Sequence, residues 1–447
     1  MLDQPLRVRA TRSQLAGDLR TNGDALARAG DEDQRAECGE TAYASEMERR
    51  DHRTCKYPRK NVELPRAVAG RPRSTSGGET NDGGGRHARG VTRAALHYYR
   101  VTDEQVRYLT VDPERPDAEI VRRAGDVLRR GGLVAFPTET VYGLGANALD
   151  ANAVGRIFAA KGRPTYDPLI VHVLNASAAR AVAREWPEAA ERLAEAFWPG
   201  PLTLVVPKGP LVPDIATAGL DTVAVRVPSH PVARAILEAA TVPIAAPSAN
   251  RFTELSPTRA EHVARALGDR VDLIVDGGPT TVGIESTVVD LSRDDPIVLR
   301  PGTIPAPALA AAIGALDIAV ADVHGGGATP RRAPGMLDRH YAPRARLELF
   351  DDASRAAAAH SAATYTARGE TVGALLIAAM DVPVTHAIHM PNDPAAYARA
   401  LYDALHSLDA TGCQVVLVEM PPQAPAWAGV RDRLTRAAQP ATPNDSR

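Results

Sequence analysis

From Asp117 onward the apolar positions change their spacing at regular intervals, and each change marks a switch between helix and strand. Asp117 is placed to cap a helix with Ile120, Ala124, Val127 and Leu128 on one face, closed by Gly131 and Gly132. The run Leu133 to Phe136 stops at Pro137, as a buried strand does. Asp150 is a second N-cap. Its helix turns Ala153, Val154, Ile157 and Phe158 inward and delivers Lys161 and Arg163 at its end, where Pro164 stops it. Leu169 to Val173 reads as a strand carrying His172, and Thr203 to Val206 as another. Thr222 to Pro228 alternates with period two, which puts Thr222, Ala224 and Arg226 on one face. PIAAPSAN, DLIVDGG, STVVDLS and PIVLRPG add strands between helical pieces. The expectation over 101–322 is an α/β (α+β) domain, a sheet of about seven strands covered by helices.

The alternation resumes at Arg346. Strands at 346–350, 372–377 and 414–419 are separated by an Ala-rich helix and a helix from Pro394 to Leu408, and a last helix follows. This βαβαβα order predicts a small parallel sheet over 346–440, reached through a linker at 323–345.

The first hundred residues lack such a period, and Ser76 to Gly90 (SGGETNDGGGRHARG) is of low complexity. Residues 1–100 are therefore expected to be a disordered extension. They hold 19 Lys and Arg against 14 Asp and Glu, a balance of +5; the whole chain stands at −2, so the remainder carries −7. That acidic remainder argues against a large nonspecific nucleic-acid surface. No stretch approaches the ~20 apolar residues of a membrane span. Cys38, Cys55 and Cys413 lack metal-ligand spacing and fit a reducing cytoplasm. The chain contains no GxxxxGK[ST], HExxH or GxSxG, and the GLG at Gly143 to Gly145 lacks the third glycine of a dinucleotide fingerprint.

The polar residues at the ends of these elements supply candidate chemistry. Thr138 and Thr140, Lys161, Arg163 and His172 gather hydroxyls, fixed cations and an imidazole, a set suited to anions. Gly143 and Gly145 would let the backbone bend close to a ligand. Arg226 lies among apolar neighbours and must find an anion, in a structural ion pair or in a ligand. Ser248 and Asn250 follow a strand end, where they bind ligand or cap a helix. Ser256 is an N-cap or a phosphate contact. Glu285, Ser286 and Thr287 open one strand, and Arg300 ends the next.

FPTETVYGLG, KGRPTYDPLIVHV, WPGPLTLVV, VAVRVP, APSAN, GIESTVVD and LRPG, in this order, resemble the YrdC-like threonylcarbamoyl-AMP synthases. APGMLDRHYAPRA (333–345) is similar to the linker of the two-domain members, whose second domain is small and Rossmann-like. The tail EMPPQAPAWAGVRDRLTRAA departs from the family's Gly-rich wording. The resemblance implies a twisted mixed sheet and ATP-dependent synthesis of L-threonylcarbamoyl-AMP from L-threonine and bicarbonate, releasing pyrophosphate, for tRNA threonylcarbamoyladenosine modification. Mg²⁺ is expected with the ATP, and a downstream tRNA-modifying transferase complex as partner. Lys161, Arg163, Ser248 and Asn250 look like the family's signature tetrad. By the same resemblance Thr140, His172, Arg226, Ala246 and Ser286 face threonine. Lys161, Arg163, Asp167, Thr222, Ser248, Ser256, Arg300, His340 and Tyr341 face ATP. The rival from another class is a non-catalytic RNA-binding module of the same fold, against which stand the acidic balance and aromatics of only 4%.

Overall fold

The computed structural model describes residues 107–321, 331–335 and 339–440, which lie in one compact unit. The expected extension over 1–100 and the first part of the linker fall outside them. The described strands before the linker are β1 (Arg107–Thr110), β2 (Val134–Pro137), β3 (Tyr142–Asn147), β4 (Ile170–His172), β5 (Leu202–Pro207), β6 (Thr222–Arg226), β7 (Ile244–Ala245), β8 (Leu273–Asp276), β9 (Thr287–Asp290), β10 (Ile297–Arg300) and β11 (Ala319–Val320). They form one mixed sheet in the order β1-β8-β2-β3-β7-β4-β6-β5-β9-β10-β11. The sheet thus has eleven strands among the described residues, not about seven. The additions have physical reasons. β11 is two residues long, too short for a period, and β1 is a four-residue edge strand, RYLT, with a single aliphatic residue. β3 has no strand signal because of Gly143 and Gly145, expected to let the backbone bend; both lie inside it, paired antiparallel to β2. A Cβ on Gly145 would sit 2.6 Å from the Phe136 ring, so glycine there serves close packing.

Caps set the helices. Asp117 accepts the N–H groups of Glu119 and Ile120 at the start of the helix Ala118–Arg129. Asp150 accepts those of Asn152 and Ala153 at the start of Ala151–Lys161. The expected apolar residues of the second helix are all buried. Its end is made by Gly162 at φ 65°, a left-handed cap that precedes Pro164.

After the linker come β12 (Arg346–Phe350), β13 (Val372–Leu376), β14 (His386–His389) and β15 (Val415–Glu419), all parallel, in the order β12-β15-β13-β14. β14 is an addition to the expected βαβαβα. It is an edge strand of alternating exposure with a His at each end, a weak apolar signal. The second sheet docks on the first through the helices Pro394–Ala410 and Ala428–Ala437. At one contact the backbones touch almost directly, since a Cβ on Gly429 would come within 2.5 Å of the Gly302 carbonyl oxygen. No helix among the described residues is long and apolar enough to cross a membrane.

Candidate active site

β4 and β6 run parallel with His172 opposite Arg226, and this register sets two polar side chains at the rim of an otherwise apolar sheet. Above them lies a cavity of about 40 Å³, walled by Thr138 and Thr140 from the β2–β3 turn and by Ala246 and Ser248 after β7. Three guanidiniums reach it, from Arg163, Arg226 and Arg300, and each of these residues is buried. Pro334, Gly335, His340 and Tyr341 of the linker close it.

Each guanidinium is fixed by backbone. Arg163 donates to the carbonyls of Asp167 (3.1 Å) and Pro168 (2.9 Å). Arg300 donates to the Ser286 carbonyl through Nε and Nη2 (3.1 and 3.0 Å), to the Ser286 hydroxyl (3.2 Å) and to the Pro334 carbonyl (3.0 Å). Arg226 Nε donates to the Gly200 carbonyl at 3.3 Å, and its Nη2 lies 2.7 Å from Glu139 Oε1. The structural ion pair open to Arg226 is therefore formed, with Glu139 as its anion. Asp167 pairs in the same way with Arg163 at 2.9 Å, yet neither Asp167 oxygen receives an aligned hydrogen bond. Burial raises the Asp167 carboxyl against the pull of the Arg163 charge.

Lys161 lies beside the cavity. Its Nζ donates to the carbonyls of Ser248 (2.6 Å) and Asn250 (2.5 Å), which ties the helix end to the APSAN loop. Burial, then the charge of Arg163, holds its pKa well below that of an ordinary lysine. Asn250 closes the loop by donating to the carbonyls of Arg251 and Glu254, and caps no helix. Burial, then Arg226, pushes His172 down to about 3, so the ring is neutral and its buried Nδ1 has no partner. Burial and the charges of Arg163, Lys161 and Arg300 likewise keep His340 neutral.

The structure thus gathers Thr138, Thr140, Arg163, His172, Arg226, Ala246, Ser248, Arg300, His340 and Tyr341 at one cavity. Lys161, Asp167, Asn250 and Ser286 stand immediately behind it. Two further candidates do not line the cavity. Thr222 shares its strand face with Arg226 but begins the strand that Arg226 ends, so four residues of extended chain, about 13 Å, separate them. Ser256 is fully buried and caps no helix; its hydroxyl donates to Glu285 Oε1 at 2.5 Å.

Glu285, which had no assigned role, lines the cavity. It also accepts Arg433 Nε at 2.7 Å and the Tyr402 hydroxyl at 3.1 Å, both from the second sheet's helices. Burial pushes this carboxyl up, but Arg433 and Arg300 more than offset it and leave it below the usual range. Arg433 also donates to the Pro301 carbonyl at 2.9 Å and lies 5.0 Å from the Tyr341 ring centre. A signal for Arg433 exists in the sequence: it interrupts the apolar stripe Val430, Leu434, Ala437 of the last helix.

Residues 126–302 match the family described as "Telomere recombination", and 304–439 the one described as "Threonylcarbamoyl-AMP synthase, C-terminal domain". The threonylcarbamoyl-AMP synthase of Pyrococcus abyssi is 44% identical over 328 residues, 73% of this chain and 96% of that protein. The chain belongs to the threonylcarbamoyl-AMP synthase family. The Bacillus subtilis member is 41% identical over 76% of this chain and 96% of its own length. A crystal structure of P. abyssi Sua5 complexed with L-threonine matches 74% of this chain and 97% of that one, with 43% identity and a TM-score of 0.69. Both domains of the synthase family are therefore present, and the match extends across the linker whose residues roof the cavity.

Proposed function

We propose that this chain makes L-threonylcarbamoyl-AMP from L-threonine, bicarbonate and ATP. The reading rests on one observation, three buried guanidiniums converging on a cavity roofed by the linker. Threonine's amine combines with carbon dioxide from bicarbonate to give a carbamate. A carbamate oxygen attacks the α-phosphorus, the bond to the β-phosphate oxygen breaks, and pyrophosphate leaves with that electron pair. Negative charge builds on the phosphate oxygens, so fixed cations supply the stabilisation and no side-chain nucleophile is required.

Arg226 receives the threonine carboxylate in place of Glu139, beside neutral His172 and the Thr140 hydroxyl. Arg163, Arg300 and the Lys161-pinned Ser248 loop face the nucleotide. The Asp167 carboxylate, paired with Arg163 but without an aligned hydrogen bond on either oxygen, would hold an Mg²⁺ brought with the triphosphate, and that ion would neutralise charge there. About 40 Å³ holds a few waters and is far below the several hundred Å³ of a nucleotide pocket. His340 and Tyr341 therefore withdraw for ATP to enter and return to exclude water from the carbamate. The product serves tRNA threonylcarbamoyladenosine formation through a downstream transferase.

The test is to incubate the full chain with ATP, Mg²⁺, bicarbonate and L-threonine and follow pyrophosphate and the adenylate by mass. Pyrophosphate release that depends on both threonine and bicarbonate is expected. Release independent of threonine would sink the proposal.

A further inference from the structure

The four-stranded sheet has a cavity of its own, of about 830 Å³, which shares no lining residue with the one above. Connectivity explains its place. The helix after β12, Arg355–Ala367, packs on one face through Ala358 and Ala362 against Ala374 and Leu417. The helix after β15, Ala428–Ala437, packs on the other through Val430 and Leu434, with Val416 and Val418. β12 and β15 are neighbours, so their exits diverge and open a crevice at their carboxyl ends. This is where open parallel sheets bind ligands. Asp351, Asp352 and Arg355 line it from one exit, Met420 and Pro421 from the other, and Ala378 from the end of β13.

The lining decides the ligand. A dinucleotide site presents bare N–H groups from a glycine-rich loop to phosphate. Here that loop is Asp351 to Ser354, and Asp351 itself accepts the Ser354 N–H (3.0 Å) and hydroxyl (2.6 Å). The N–H groups of Ile377 and Ala378 are taken by Glu419 Oε2, at 2.7 and 2.9 Å. Three carboxylates against the guanidiniums of Arg355 and Arg431 leave the crevice unfavourable to polyphosphate. Arg355 spends Nη2 on Asp352 (2.8 Å) and Glu419 (2.5 Å), while its Nη1 is buried with no acceptor. The Phe350 ring lies 5.8 Å from this guanidinium, and Leu349, Ile377, Met420 and Pro421 give the wall an apolar part beside the amides of Asn392 and Gln423.

We infer that this crevice binds a nucleoside without phosphate. A ring nitrogen or carbonyl supplies the acceptor that Arg355 Nη1 lacks, ribose hydroxyls donate to exposed Asp352, and the base lies on the apolar part of the wall, with the amides of Asn392 and Gln423 at its edge. The volume is within the range of small-molecule sites.

The probe is adenosine, added to the full chain and followed by amide hydrogen exchange. Saturable slowing is expected at 349–355 and 419–423, with none there from ATP at equal concentration. Arg355→Met should weaken the adenosine effect roughly ten- to a hundredfold, as loss of a charged hydrogen bond does. Ala378→Trp, at an exposed position in the crevice, should abolish it while threonylcarbamoyl-AMP synthesis continues at the unmodified rate. This variant decides the matter if Arg355→Met does not fold. Slowing confined to the catalytic cavity, equal slowing by ATP, or slowing that survives Ala378→Trp would each overturn the proposal.

Discussion

The cavity over β4 and β6 measures about 40 Å³, and that at the ends of β12 and β15 about 830 Å³. Both lie at strand ends, but they are walled differently. The smaller is built from buried charges brought together from distant parts of the chain: the β2–β3 turn, the APSAN loop, the linker and, behind Glu285, the last helix. The larger is lined by loops that directly follow its own strands, with Asp351, Asp352 and Ala378 exposed. In the first, the lining residues are themselves the buried pairs that hold the fold. In the second only Arg355 and Glu419 do so, and the rest of the lining is free of that duty.

Removing a charge from each region tests this most severely. Arg433→Met leaves Glu285 buried without its main cation and should cost about 3–5 kcal/mol in urea unfolding. Asp352→Asn in the crevice should stay within ~0.5 kcal/mol. Equal losses would break the comparison.

Arg226→Gln addresses the small cavity's chemistry. The threonine KM should rise by roughly ten- to a hundredfold, the loss of a charge-assisted hydrogen bond, with the ATP KM changing far less. Steady-state pyrophosphate release measures both, and parallel losses would reject the threonine assignment.

A smaller effect lies between the two sheets. The rings of His262 and His406 stack 3.8 Å apart, faced by Arg259, Arg265, Asp403 and Asp409. Burial, then His406, holds His262 at about 3, and burial lowers His406. Unfolded histidine titrates near 6.5, so below that pH the unfolded chain binds protons that the folded chain does not. This contribution is complete above about pH 6.5 and is lost as pH falls toward 3. Allowing for solvent screening, this pair should contribute about 1 kcal/mol to the fall in unfolding free energy between pH 7.5 and 5.5, beside the contributions of buried His172 and His340, and His406→Gln should reduce the fall.

The smallest change in stability belongs to Tyr341→Phe. The hydroxyl is buried with no partner, so its loss should shift stability by less than ~0.5 kcal/mol. A rise in the ATP KM of several-fold is nevertheless expected if that hydroxyl serves the nucleotide; an unchanged KM would remove Tyr341 from the ATP set.

Much of the small cavity was legible because its parts lie at strand and helix ends with clear periodic signals. His172 was placed by the apolar run Leu169 to Val173, Arg226 by alternation, and Lys161 and Arg163 by a helix of known face. What escaped was set by pairing across the sheet. Glu139 had no signal as the partner of Arg226, and Ser256 reads like any cap until Glu285 stands opposite. β3 was hidden because its glycines answer the Phe136 ring and not a turn. Thr222 was correctly assigned to the face of Arg226, but strand length set it at the far end.

The Gly302–Gly429 contact constrains how such a chain can change. A Cβ on Gly429 would strike the Gly302 backbone and one on Gly302 would strike Thr287, so neither glycine can take a side chain without a backbone shift. Gly302 follows directly on Arg300 and Pro301, and Gly429 lies four residues before Arg433. A graft of the last helix from another sequence would have to match this seam before it could deliver its guanidinium to Glu285. In this chain, exchanging either domain alone would disturb the Glu285 side of the cavity over β4 and β6 first.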